Sequence, residues 1–329
     1  MPSTRRTTAR MRTRLITACV ATVALLAAAC GGGAEDFPDR TITMIVPWEA
    51  GSASDIAIRM LSDHAEDELG VPITHQNVVG GNGSTGHQQI FDADPDGYTM
   101  GFFILDVLTN EALGETDIGY QDFEMLMQFG VQPLGLYATP SSGFTTVEEL
   151  VEAAQENPGE ISMATHALGG VFHQGAGLFA QAADLDFRYV PFDGSAEQVT
   201  AMLGDHVDVM VTSITLPAQY VESGEMVMLA SLTDEPLELH PDAPTLADEG
   251  YDVEYASWRG IGMPPETPED VQQTLLDAFT AAFESEEYQE QAAEANIDLQ
   301  YRDADEFVEF LDTNYEQVES VLTDLGIAD

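Results

Sequence analysis

The chain has 329 residues, with 58 Asp or Glu against 10 basic residues, all of them Arg, for a net charge of −48. That balance excludes nucleic-acid binding through phosphate contacts, and a chain without Lys excludes Schiff-base chemistry. The only two Cys, Cys19 and Cys30, lie in the N-terminal segment, so neither a disulfide framework nor a cysteine metal site is expected.

Residues 1–14 carry five of the Arg (Arg5, Arg6, Arg10, Arg12 and Arg14) and no acid, and Leu15 to Ala29 form an Ala-rich apolar run. This reads as a secretory signal peptide over residues 1–29, too short for a comfortable membrane span. Cys30 follows Leu26-Ala-Ala-Ala29 and precedes Gly31-Gly-Gly33. It is expected to be the lipidated first residue of the mature chain, with residues 30–36 as a flexible tether that holds the protein to the outer face of the cell membrane. The other reading is cleavage at an Ala-x-Ala site with Cys30 as a bystander. Cys19 lies too close to Arg14 for an apolar segment to precede it. Without the signal peptide, 5 basic residues face 58 acids, a net of −53. Such a surface repels itself in dilute buffer, whereas at molar salt the Debye length falls to ~3 Å. A salt-adapted protein is implied, with the acids as solvated faces, since no loop has the calcium-loop spacing.

From the tether onward the pattern alternates. Ile42–Pro47 reads as a covered strand, Ser54–Leu69 as a helix, Pro72–Asn77 as a strand, Gly83–Asp92 as a helix and Tyr98–Ile104 as a strand. After the apolar stretch Phe123–Tyr137 come helix Thr146–Glu156, strand Ile161–Thr165, helix Val171–Ala183, strand Phe187–Val190, helix Ala196–Leu203 and strands Val207–Val211 and Met226–Ser231. Tyr255–Gly262 and helices over 270–283 and 304–325 close the chain. Alternation predicts an α/β chain with a mainly parallel sheet, and two successive series predict two domains. Phe123–Tyr137 and Tyr251–Met263 are the expected crossings between them.

Three loops offer neutral hydrogen-bond donors near helix starts, where free N–H groups and the helix dipole favour an anion. The first runs from Trp48 through Gly51, Ser52, Ala53 and Ser54 to Asp55. The second, Gly80–Gly86, sets Asn82, Ser84 and Thr85 among glycines that let backbone approach a ligand. The third is Thr165-His166-Ala-Leu-Gly169-Gly170, leading to His173. Each is equally readable as a Gly-rich turn beside a helix cap, and both His as exposed caps or satisfied core groups. Phe192 and Asp193 follow a strand, Thr212 lies at another strand's C-terminal edge, and Trp258 lies in the second crossing. Asp208 reads as structural. Arg259 is readable as a carboxylate clamp or as hinge packing.

Seven stretches in order carry a resemblance. They are Pro38-Asp-Arg40 with Ile45-Val-Pro47, Gly51 and Asp55; Asn77 with Gly80-Gly-Asn-Gly83 and Gly86; and Pro95-Asp-Gly-Tyr98. Val190-Pro191 with Gly194-Ser195, Gly204 through Val207-Asp-Val209, Pro244-Thr-Leu246 with Glu249-Gly250, and Trp258-Arg-Gly260 with Pro264 and Thr267-Pro268 follow. Together the chain resembles the tripartite tricarboxylate transporter substrate-binding proteins, or Bug receptors. The resemblance implies a type II periplasmic-binding-protein fold with a ligand cleft between two lobes, residues 37–130 with 251–329 and residues 131–250. It also implies a small carboxylate as ligand and membrane permease subunits as partners, with no cofactor or metal. Departures are Ser52 in place of a second Gly, Val78-Val79 in place of Arg-Pro, and Trp48 and Glu49 where an aromatic and a small residue are usual. Glu49 would repel a carboxylate unless it points away or is protonated.

With five Arg in the mature chain, the acid would be held mainly by the neutral donors of the three loops. The motifs of Ser hydrolases, zinc proteases and phosphate-loop enzymes are missing. A sensor presenting the ligand to a histidine kinase is the alternative to a transport receptor, and a secreted hydrolase a weaker one.

Overall fold

The computed structural model describes residues 37–166, 168–192, 194–233, 235–237 and 239–328. The signal peptide, the tether, Cys30 and Asp193 lie outside the described residues. The elements below belong to the unit that begins at Arg40.

β1 (Ile42–Val46) runs into α1 (Ala53–Leu69), followed by β2 (Ile73–Asn77), α2 (Ser84–Phe91), β3 (Thr99–Phe103) and α3 (Asp106–Ala112). The long β4 (Glu124–Ala138) leads to α4 (Val147–Glu156), β5 (Ser162–Thr165), α5 (Val171–Ala183), β6 (Arg188–Pro191) and α6 (Ser195–Leu203). Next are β7 (Val209–Ser213), α7 (Ala218–Glu222), β8 (Val227–Ser231), β9 (Ala256–Met263), α8 (Glu269–Glu284), α9 (Glu286–Glu294), β10 (Asp298–Arg302) and α10 (Ala304–Asp324).

The strand order is β2-β1-β3-β9-β4-β7-β5-β6, with β10 and β8 also paired to β4. β1 is parallel to β2 and β3, and β5 to β6 and β7, but β4 and β9 are antiparallel to every neighbour. The sheet is therefore mixed, not mainly parallel. β4 and β9 pair directly with each other along most of their length, antiparallel and without a helical crossover between parallel strands. Along β4, residues 124–133 pair with β9 and residues 134–138 with β7 and β8. The change of partner falls at Pro133, which has no N–H to donate to a continuous ladder.

Local signals explain the elements that carry the loops. β1 is covered on both faces, with Ile42, Met44, Ile45 and Val46 all buried. α1 is capped by the Ser52 hydroxyl and stopped by Gly70 in the left-handed region. Its buried Ala57, Ile58, Leu61, Ala65 and Leu69 form one helical face. α10 buries Phe307, Leu311, Val318 and Leu322 and packs on α3, β4 and α5. Each such side chain contributes about 1.5–3 kcal/mol of burial.

Candidate functional site

The loop after β1 is shaped by Asp55, 2% exposed. Its carboxylate accepts from Gly51 N at 2.9 Å, Arg59 Nε at 2.8 Å and Asn77 Nδ2 at 2.8 Å. Asn77 Nδ2 also reaches Trp48 O at 2.8 Å, and Arg59 holds Asn77 Oδ1. Burial acts to raise the Asp55 pKa, but Arg59, the Gly51 N–H and Asn77 outweigh it and hold the carboxyl below its ordinary range. The Gly51 N–H is thus consumed, Ser52 N donates to Glu49 O, and the Ser52 hydroxyl caps Asp55 N. Ala53 and Ser54 keep first-turn N–H groups with no acceptor among the described residues. Trp48 is half-buried, edge-on to Phe102 and His87, and Glu49 is exposed. Behind Trp48, burial pushes His87 down to about 3, so it adds no charge.

In the second loop Gly80, Gly81, Asn82 and Gly83 all have positive φ. Asn fits this region because its short side chain bonds locally. Asn82 Nδ2 donates to Asp106 Oδ1 at 3.0 Å and to Asn110 Oδ1 at 3.3 Å, while Asn110 Nδ2 returns a bond to Asn82 O at 2.9 Å. A side chain at Gly81 would collide with Ser84 Oγ, and one at Gly86 would meet Pro47 at 2.8 Å. The second loop therefore packs on the first. Ser84 is half-buried and Thr85 exposed.

The third loop is braced from within. Thr165 Oγ1 donates to His166 O, and Gly169 N donates to His173 Nδ1 at 3.0 Å. His173 is buried, which lowers its pKa, and its ring stands edge-on to Tyr189. Gln174 Nε2 donates to Gly169 O at 2.7 Å and to Thr109 Oγ1 at 2.9 Å, and Tyr255 Oη donates to Gln174 Oε1. Thr109, Gln174 and Tyr255 thus tie α3 to α5 and to the segment entering β9. His166 is half-buried and acts electrostatically on Asp106.

The second and third loops meet at Asp106, through Asn82 and His166, and the first loop packs on the second through Trp48 and Pro47 against Gly83 and Gly86. Phe192 is half-buried, its N–H bonded to Thr165 O. Thr212 is fully buried and donates to Ser195 Oγ at 2.9 Å, fastening α6 to β7. Trp258 is a core side chain: its Nε1–H donates to Asn314 Oδ1 at 2.8 Å and its ring stands edge-on to Phe307, both on α10 rather than on the loops. Asp208 accepts from Ser162 N and Oγ, the structural role expected of it. Arg259 is buried on β9 and donates to Val131 O of β4, which packs the two strands together; burial lowers it to about 10. Sequence reasoning missed Asp106, Thr109, Asn110, Gln174 and Tyr255. The available signal was Asp106 just after an apolar strand, with Thr109 and Asn110 at helical spacing from it.

Among the described residues no group of His, Cys, Asp and Glu is arranged to hold a metal, and no helix is long and apolar enough to cross a membrane.

The family described as tripartite tricarboxylate transporter family receptor matches residues 57–327. The chain belongs to that family. The receptor is 27% identical over 316 residues to the UPF0065 protein in the gbd 5' region of Cupriavidus necator, covering 95% of this chain and 96% of that one. Among solved structures it is similar to R. palustris Rpa4515 with adipate (TM-score 0.82, 24% identity, 89% of this chain and 99% of that one). It is also similar to MatC from Rhodopseudomonas palustris with bound malate (TM-score 0.77, 22% identity, 87% of this chain and all 100% of that one). The two-lobe α/β fold is that of periplasmic solute-binding proteins. The family is one of receptors and not of enzymes.

Proposed function

We propose that this receptor binds a small organic acid with one or more carboxylates between its lobes and delivers it to the permease subunits of a tripartite tricarboxylate transporter. In this reading one lobe comprises residues 37–130 with 251–329 and the other residues 131–250. Cys30 anchors the protein by lipid to the outer face of the cell membrane, and the acidic surface is an adaptation to high salt.

The observation that carries the reading is a chain of loops rich in neutral donors, the second packed on the first through Gly86 against Pro47 and joined to the third at Asp106. The Ala53 and Ser54 N–H groups open the long helix α1 there, where its dipole favours a carboxylate. The described arginines are engaged elsewhere: Arg40 with Asp96, Arg59 with Asp55, Arg259 with Val131 and Arg302 with Gln128, while Arg188 is exposed on β6. Neutral donors then do the holding, and a ligand touching both lobes favours the closed state. The bound malate and adipate of the two similar proteins support a carboxylate as ligand.

A thermal-shift screen of the mature protein in molar KCl against mono-, di- and tricarboxylates, aromatic acids, amino acids and sugars tests this. A ligand at about 100 Kd stabilises by about 2.7 kcal/mol. Shifts confined to sugars or cations would sink the acid reading.

A further inference from the structure

Asp106, beside Asn82 of the second loop and His166 of the third, accepts one side-chain hydrogen bond among the described residues. Asp106 follows the C-terminal end of β3 and is 1% exposed. Two ionised oxygens can accept about four hydrogen bonds. Among the described residues the side chain takes one, from Asn82 Nδ2. The polar neighbours on its own helix are committed, Thr109 to Gln174 and Asn110 to Asn82. The titratable groups facing it are His166 of the third loop and Tyr255 of the segment entering β9. Burial raises the Asp106 pKa, against the opposing pull of His166 and Asn82, and burial with the Asp106 charge raises the Tyr255 hydroxyl. Among the described residues no arginine bonds this carboxyl.

We propose that Asp106 determines ligand specificity: its carboxylate accepts a hydrogen bond from a hydroxyl or ammonium group on the bound acid, so the receptor selects acids that carry such a donor over bare acids of the same skeleton. This rests on the acid-receptor reading above and goes beyond it by stating which acids. The selection has an attractive and a repulsive part. A ligand donor gives this carboxylate a partner beyond the one that the described residues supply, and an acceptor taken from water without one is costly. A bare acid offers only methylene groups or a second carboxylate at that place, and like charge disfavours the latter. The loops with backbone donors take the ligand's carboxylate, and Asp106 takes its substituent.

Calorimetric titration of the mature receptor in molar KCl with matched sets tests the assignment. Suitable sets are succinate with malate and aspartate, glutarate with glutamate, and propionate with lactate and alanine. Within a set that binds, the donor-bearing member should bind about tenfold to hundredfold tighter than the bare acid, the range for a hydrogen bond to a charged group. Asp106→Ala should close the gap, mainly by weakening the donor-bearing member. This comparison is made in the wild type first, so it stands even if the variant does not fold. Asp106→Asn, which keeps an acceptor without the charge, should retain hydroxy acids and lose the preference for ammonium. Equal affinities within every set, or a gap unchanged in Asp106→Ala, overturn the assignment and leave the acid-receptor reading in place. Binding of no member of any set, nor of any acid in the wider screen, removes both.

Discussion

Asp55 and Asp106 are equally hidden, at 2% and 1% exposure, and each lies in the first turn of a helix that follows a strand, yet their surroundings push them in opposite directions. Asp55 is met by a guanidinium, a backbone N–H and an amide, and its carboxyl is held below its ordinary range despite its burial. Asp106 is met by one amide, with a His at longer reach, and burial prevails. A buried charge whose partners are complete belongs to the fold. One whose partners are incomplete stores a demand that a ligand can meet. The same side chain is a knot in one place and a reader in the other.

The largest effect expected from breaking this contrast comes from Asp55→Ala. It removes the common acceptor of Gly51, Arg59 and Asn77 and unshapes the loop after β1. The expected loss is about 2–4 kcal/mol of stability, discounted from the buried-pair range because Arg59 is partly exposed, and is read from denaturant unfolding in molar salt. The pH dependence has a definite sign. The folded pKa lies below the ordinary 3.8, so the wild type holds this stability above 3.8 and loses it as pH falls through the folded value. The variant should lack that acid-side loss, and equal acid-side slopes would contradict the role given to Asp55.

Asp106→Asn should act with the opposite sign and a smaller size. A folded pKa above 3.8 means that wild-type stability is greatest below 3.8 and declines as pH rises through the folded value. Removing the charge while keeping the shape should raise stability near neutral pH by on the order of 1 kcal/mol, a gain that vanishes in acid. Melting curves across pH in molar salt check it. A destabilised variant at every pH would mean that Asp106, like Asp55, is part of the scaffold.

Much of this was legible beforehand, and the reasons it was or was not are physical. β1, β3, β5 and α1 declare themselves because covered strands and one-sided helices leave apolar runs at fixed spacing. Strand direction leaves no such trace, so the antiparallel course of β4 and β9 emerged only from their pairing. α3 was missed because Asp106 to Asn110 are all buried, which erases the one-sided pattern of an amphipathic helix. β10 and α9 were missed for the reverse reason: β10 has no fully buried residue, and α9 buries only Tyr288 and Ala292. The Gly-rich loops could be found because positive φ favours Gly. Asp106 could not, since one acid among 58 means nothing until its burial is known.

The smallest effect is expected at Glu49, the third acid near these loops, and it sharpens the contrast because it is exposed. Its backbone carbonyl accepts from Ser52 N, so the main chain at this position is used while the side chain stands in solvent. Glu49→Gln should therefore leave loop and fold unchanged. In molar salt, where the Debye length is ~3 Å, it should alter carboxylate affinity by less than about twofold. At roughly 0.1 M salt, where the Debye length is ~10 Å, the same change should tighten binding measurably, because an exposed like charge is then felt across the loop. Titration of one carboxylate at both ionic strengths separates the cases. A tenfold change at molar salt would place the Glu49 carboxylate in contact with the ligand, and burial would no longer be what distinguishes the acids that matter from those that do not.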